Sequence, residues 1–196
     1  MTSILKVDTI QDADGNNIIN ESGNTITIGA SGDTTNIIGT LNKDGSAVAN
    51  TPAFEATRST GTTNISNNTF TKIQCDTEVF DTAGNYDNSS NYRFTPTTAG
   101  KYYVYGLIKF ESDSAKRIEY CQFSIYKNGS QYRQVVPVYS ADNVSWQSTG
   151  VISSTIDLNG SSDYVELYVR INVFSGSPNY IGGDNTTTFG AYKIIE

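Results

Sequence analysis

The chain has 196 residues, 37% hydrophobic and 11% aromatic, which suits one moderate domain with an appendage but is too poor in Leu, Ala, Glu and Lys for a helical protein. A formal charge of −7 repels phosphate backbones and argues against a nucleic-acid partner. The chain contains no histidine, which removes Ser-His-Asp and Cys-His catalysis, most zinc catalysis and the usual general base.

The opening stretch, residues 1–10, lacks the basic start and uninterrupted apolar core of a signal peptide. No apolar run approaches the roughly 20 residues of a membrane helix. The expectation is a protein made in a cytoplasm, with no membrane insertion. Residues 1–50 contain no aromatic residue. Short aliphatic pairs recur there between Gly, Asn and Asp turns: Ile18-Ile19, Ile26-Thr-Ile28 and Ile37-Ile38. One such segment cannot bury its apolar side alone, whereas three identical chains wound together can. Residues 1–50 are therefore expected to form a β-prism-like stalk or an extended attachment arm, with a solvated tail as the plainer alternative.

Thr51-Pro52 marks the boundary of a second region, residues 51–196, where aromatics appear and strands lengthen. Lys101 to Phe110 is the clearest strand, with Tyr102, Val104, Gly106, Ile108 and Phe110 on one face and Tyr103, Tyr105, Leu107 and Lys109 on the other. Both faces are rather apolar, so this strand is expected to be central and packed on both sides. Glu119 to Lys127 follows, then the tight-turn signal Asn128-Gly129, then a returning strand from Gln131 to Tyr139. Val151 to Leu158 precedes a turn at Asn159-Gly160. From Asp163 to Phe174, Val165, Leu167, Val169, Ile171 and Val173 alternate with Tyr164, Glu166, Tyr168, Arg170 and Asn172. The chain closes on Thr188 to Ile195. Eight to ten strands at this spacing, without a helix, read as an all-β antiparallel sandwich. Cys75 and Cys121 sit in alternating strand patterns and are expected to be reduced core thiols.

Several pieces of residues 52–196 are similar to the globular head of the complement C-one-q family, a jelly roll shared with tumour necrosis factor ligands. Pro52-Ala53-Phe54 opens the region. Phe70-Thr-Lys-Ile73 and Val79-Phe80-Asp81 stand where the family has early Phe-rich strands. Tyr86-Asp87, then Tyr92-Arg93-Phe94-Thr95, then Ala99-Gly100-Lys-Tyr102-Tyr103 resemble the family signature of Tyr-Asp, a turn, Phe-Thr and Gly-x-Tyr-Tyr. Phe123 to Gly129 resembles the central hairpin, Leu158-Asn-Gly160 with Asp163-Tyr-Val165 a Leu-x-x-Gly-Asp-x-Val element, and Phe189-Gly190-Ala-Tyr192-Lys-Ile194 the closing strand. No collagen-type Gly-X-Y stalk is present. Residues 1–50 instead resemble the start of phage fibre proteins, cyanophage ones among them, through Ile4-Leu-Lys-Val-Asp-Thr-Ile10, Asp14-Gly-Asn and Ile26-Thr-Ile-Gly. The head resemblance implies a homotrimer around a three-fold axis. Tyr103, Tyr105, Leu107, Tyr192 and Ile194 are the candidates for its interface, or else for the monomer core.

Little chemistry stands out. No Gly-x-x-x-x-Gly-Lys phosphate loop or dinucleotide fingerprint occurs, and no cofactor is expected. Asp76, Glu78, Asp81, Asp87, Asp113 and Asp163 are the carboxylates open to a glycosidase-type pair; they read as solvated turn residues instead. Asp12 and Asp14, and Asp81 with Asp87, are weak calcium candidates in oxygen-rich stretches that turn chemistry also selects. Tyr139 and Trp146 flank a polar loop and Tyr180 sits in another. Aromatic rings beside Asn and Asp suit sugar or protein binding at a surface, the alternative being rings folded onto the sandwich.

The expected function is that of a non-enzymatic virion structural protein of a phage. In the leading version it is a tail fibre or receptor-binding tip that presents a trimeric jelly-roll head to a host-surface glycan or protein, while residues 1–50 bind other virion proteins. A capsid decoration or head-fibre protein is the alternative. A secreted lectin-like module and a depolymerase are weaker ones.

Overall fold

A computed structural model describes residues 9–11, 13, 17–22, 25–28, 31–39, 41–43, 46–47, 49–59, 61–112, 118–139, 146–174, 176–183 and 186–194. The chain divides into two compact units, Met1–Val48 and Ala49–Glu196. In the first, β1 (Thr9–Gln11), β2 (Asn17–Ser22) and β3 (Thr25–Ile28) form an antiparallel sheet, and β4 (Asn42–Lys43) pairs with β5 (Ser46–Ala47). Ile19 lies across from Ile10 on one side and Ile28 on the other. These isoleucines remain exposed, as do Ile26 and Ile37, and Ile38 is 94% exposed. Among the described residues these three short strands have no second layer to cover them.

The second unit begins with β6 (Ala53–Thr57), β7 (Thr62–Asn64), β8 (Thr71–Lys72), β9 (Thr77–Asp81), β10 (Tyr86–Asp87) and β11 (Arg93–Phe94). The long strands follow: β12 (Gly100–Ser112), β13 (Ile118–Lys127), β14 (Ser130–Tyr139), β15 (Gln147–Leu158) and β16 (Val165–Val173), then the shorter β17 (Pro178–Ile181) and β18 (Thr188–Lys193). Two antiparallel sheets result. The first runs β7-β17-β12-β18-β6-β9, with β15 on the other edge of β12. The second runs β10-β11-β16-β13-β14, with β8 also on β16. No helix occurs among the described residues. The expected eight to ten strands are thirteen, because two- and three-residue pieces such as β7, β8, β10 and β11 also pair.

Alternation makes the sandwich. The even-numbered residues of β12 from Tyr102 to Ser112 are buried, and the odd-numbered ones are half-buried or exposed. In β16 the odd residues Val165 to Val173 turn inward to meet them, as do Cys121, Phe123 and Ile125 of β13. Phe54 stacks on Tyr86 at 4.4 Å and on Phe94 at 4.6 Å between ring centroids, which closes one end of the core. Buried hydroxyls are satisfied there: Tyr86 donates to the Cys75 carbonyl at 2.9 Å and Tyr102 to the Thr98 carbonyl at 2.6 Å. Gly106 is a packing requirement, since a Cβ at that position would sit 2.6 Å from a Leu167 methyl. The Asn128-Gly129 hairpin forms with positive φ at both residues, 52° and 75°, which matches the twist of its strands.

The sequence expectation for β12 needs one correction. The strand is interior to its sheet, between β15 and β18 with β17. Only its even face is covered by the other sheet. Its apolar odd face is half-buried, with no second layer over it among the described residues.

Candidate functional site: the outward sheet faces

Strand register fixes what stands on the bare face of the first sheet. Tyr103 lies across from Tyr192, Tyr105 from Gly190 and Leu107 from Thr188 on the β18 side. On the β15 side the same residues face Thr155, Ser153 and Val151. Glu55 of β6 lies next to Gly190, and Phe80 of β9 next to Glu55. The ring centroids of Tyr103 and Tyr105 are 6.1 Å apart and those of Tyr103 and Tyr192 are 5.5 Å apart. Tyr105 lies flat over Gly190, where a Cβ would come 2.3 Å from its Cζ. Its hydroxyl donates to Glu55 Oε2 at 2.6 Å. Burial, and then that bond to a carboxylate, push the phenol well above its ordinary range.

Tyr103, Tyr105 and Leu107 are half-buried and Tyr192 is exposed, so none of these four is part of the core between the sheets. Ile194 follows β18, half-buried, and its N–H donates to the Lys101 carbonyl. Sequence reasoning missed Phe80 and Val151, both exposed on this same face. Parity alone could not place Phe80, because a bulge between Glu55 and Ala56 shifts the β6–β9 register; Val151 stands in the regular ladder of β15, across from Leu107.

The outward face of the second sheet is built differently. Glu166, Tyr168, Arg170 and Asn172 of β16 lie across from Tyr126, Ser124, Gln122 and Tyr120 of β13. Tyr126 and Tyr168 stack at 4.1 Å, and Phe70 meets Tyr126 at 6.0 Å. The Arg170 guanidinium lies 5.5 Å from the Phe70 ring and 5.6 Å from the Tyr120 ring, and its Nε donates to Asn68 Oδ1 at 2.8 Å. Tyr120 donates to Gln122 Oε1, and Gln122 Nε2 reaches Ser124 and Gln134. Glu166 is only 4% exposed and pairs with Lys72. Burial, then the Glu166 charge, push Tyr168 up to about 12.

Of the three loop aromatics, Tyr180 requires a correction. It is not at the surface: it lies in β17 across from Phe110, is 0% exposed, and its hydroxyl accepts from the Gln74 N–H. The turn-like residues around it hid a short inward-facing strand. Trp146 is 56% exposed, and its carbonyl accepts from the Ser112 N–H at the start of β15. The backbone of Tyr139 ends β14, while residues 140–145 lie outside the described residues.

The carboxylates are occupied locally. Asp81 accepts from the Ala83 and Tyr86 N–H groups. Asp87 accepts from the N–H groups of Ser89, Ser90 and Asn91 and from the Asn91 amide. Those backbone bonds hold its carboxyl well below the ordinary range. Asp163 is lowered by the Asn128 amide and by Lys127. Burial raises the Asp76 carboxyl, but bonds from Ser59 and Arg58 outweigh that and the net shift is downward. Glu78 lies in β9 rather than in a turn. Asp12, Asp14 and Asp113 lie outside the described residues. Cys75 and Cys121 are free and buried; burial pushes Cys75 up to about 12 and Cys121 higher still.

Two antiparallel sheets in this order define a jelly roll of the tumour necrosis factor and complement C-one-q type. The chain is similar to the Eiger tumour necrosis factor of S. frugiperda at 13% identity and a TM-score of 0.53, over 72% of this chain and 91% of that one. It is similar to murine APRIL at 11% and 0.52, over 72% and 98%. The PRD1 vertex protein P5 matches at 18% and 0.53, over 74% of this chain and 99% of that one. No family model and no curated protein matches the sequence.

Proposed function

We propose that the chain is a phage virion structural protein, a tail fibre or receptor-binding tip. In this reading residues 51–196 form a trimeric head facing the host surface, and residues 1–50 attach it to other virion proteins. One observation carries the trimer: the aromatic face of Tyr103, Tyr105, Tyr192, Leu107, Phe80 and Val151, which a single chain leaves uncovered. Contiguous apolar surface of this kind marks an interface. A closed three-fold ring buries it with one repeated contact. The fold likeness to a vertex protein and the fibre-like N-terminal sequence support a place on the virion. The role is binding rather than catalysis in this reading: Asp81 and Asp87 are held in their own turns, Asp76 by Ser59 and Arg58, and Asp163 by Asn128 and Lys127.

Light scattering of the full chain tests the assembly. The expected mass is three times the 21.3 kDa of one chain; a mass of one chain sinks the trimer. A capsid decoration or head-fibre protein is the second reading, favoured because P5 is named for a vertex. Gold-labelled antibody against the head, applied to purified particles, should mark the tail tip in the first reading and the shell in the second.

A further inference from the structure

We infer that the outward face of the second sheet binds an acidic glycan, with Arg170 receiving the sugar carboxylate. This rests on the reading of the head as the part that meets the host surface. With the first sheet's outer face given to assembly, the second sheet's is the broad face left free.

Its chemistry is specific. Arg93 and Arg170 enter none of the ion pairs among the described residues, in a protein of net charge −7. Arg93 instead stacks on Tyr164 at 4.5 Å. Arg170 is held by two rings and by Asn68 through Nε. Its two terminal amino groups are thereby set as a planar fork, and a carboxylate is the group such a fork fits in two-pronged fashion. The amides of Asn68 and, further along β16, Asn172 flank it, the Asn172 amide also donating to Glu119; Gln122 across the ladder is buried and already bonded to Tyr120, Ser124 and Gln134. Such groups donate to and accept from hydroxyls. The half-buried rings of Tyr126, Tyr168 and Phe70 stand beside them, Tyr126 stacked on Tyr168, and add apolar contact surface next to the guanidinium. None of these three rings is among the exposed large hydrophobics; the exposed apolar side chains of this sheet, Tyr132 and Val136, lie on its end strand β14. An acidic saccharide satisfies the guanidinium, the amides and the rings together.

Calorimetric titration of the full-length protein tests this. The probes are oligogalacturonate, hyaluronate oligomers and sialyllactose, each beside its carboxyl-reduced counterpart. At least one acidic probe should bind, and its reduced form should bind roughly tenfold or more weakly. R170Q should show the same loss with unchanged mass, and R170K, which keeps the charge but not the fork, should also be weakened. The proposal is overturned if no acidic probe binds, if acidic and reduced forms bind alike, or if R170Q binds undiminished. Should R170Q not fold, the acidic-against-reduced comparison on the unaltered protein decides. A trimer that ignores all acidic probes ends this inference and leaves the virion reading standing. A monomer that binds one keeps this inference and removes the trimer.

Discussion

Strand β12 turns Tyr103, Tyr105 and Leu107 outward, whereas β16 turns Glu166, Tyr168 and Arg170 outward. Both strands bury equally apolar inner faces. On the second sheet the outward polar groups find partners within the chain: Gln122 with Tyr120, Ser124 and Gln134, and Glu166 with Lys72. On the first, the Tyr105 hydroxyl bonds Glu55, Leu107 is half-buried, and Val151 and Phe80 are exposed. A face that satisfies itself can remain in water. A bare apolar face gains free energy by being covered, at about 25 cal/mol per Å² of apolar surface. The inner faces hold the fold together; in the proposed reading the outer faces divide the labour of assembly and contact.

Charging the first face should break the contrast most completely. Y105E leaves the inner core untouched and places a carboxylate beside Glu55; the scattering mass should fall to one chain while the strand signal in circular dichroism persists. A hot-spot loss of about 2–4 kcal/mol per contact is enough for that. A trimer that survives Y105E would show that this face is not the interface. Core truncation gives the opposite signature. F123A removes a fully buried ring that meets Phe110 edge-on at 5.4 Å, and should cost about 3–5 kcal/mol in urea unfolding.

Two glycines on opposite faces of the first sheet sharpen the comparison. G106A drives a methyl into Leu167 and should cost about 1–3 kcal/mol of fold stability. G190A drives one into Tyr105, which can swing outward, so assembly should weaken more than the fold does. Equal effects of the two on the unfolding midpoint would count against separate roles. On the second sheet, K72M strips the nearly buried Glu166 of its partner and should cost about 1–2 kcal/mol, less than a fully buried pair because Lys72 is itself partly exposed.

The smallest effect is that of acid. Asp87 and Asp163 have folded values below their unfolded ones, so the unfolded chain binds protons first as pH falls. Their contribution is complete above about pH 4 and is lost as pH drops through the folded values. The urea midpoint should hold down to about pH 5 and decline below about pH 4, and D87N should flatten that decline.

Much of the sandwich was legible because period-two alternation is strong where strands are long. The segment Val165 to Val173 and the Asn128-Gly129 turn stand where the pattern places them. What alternation cannot say is which face meets the other sheet. Tyr103 and Tyr102 look equally apolar, and only pairing separates them. The same limit misplaced Tyr180, whose short strand between Pro178 and Ile181 reads as a loop. The second outward face was written in the sequence as Tyr164, Glu166, Tyr168, Arg170 and Asn172. Its partners Phe70, Tyr120 and Tyr126 come from distant strands, and that gathering is a property of topology.

The first and last strands of the head are neighbours. Ala53 of β6 pairs with Tyr192 of β18, and the Lys193 N–H donates to the Pro52 carbonyl. The two ends of the unit therefore leave from one spot, an arrangement that tolerates insertion and permutation well. Such a unit behaves as a cassette: it can be cut out and grafted onto another carrier through a single seam, with both outward faces transferred intact.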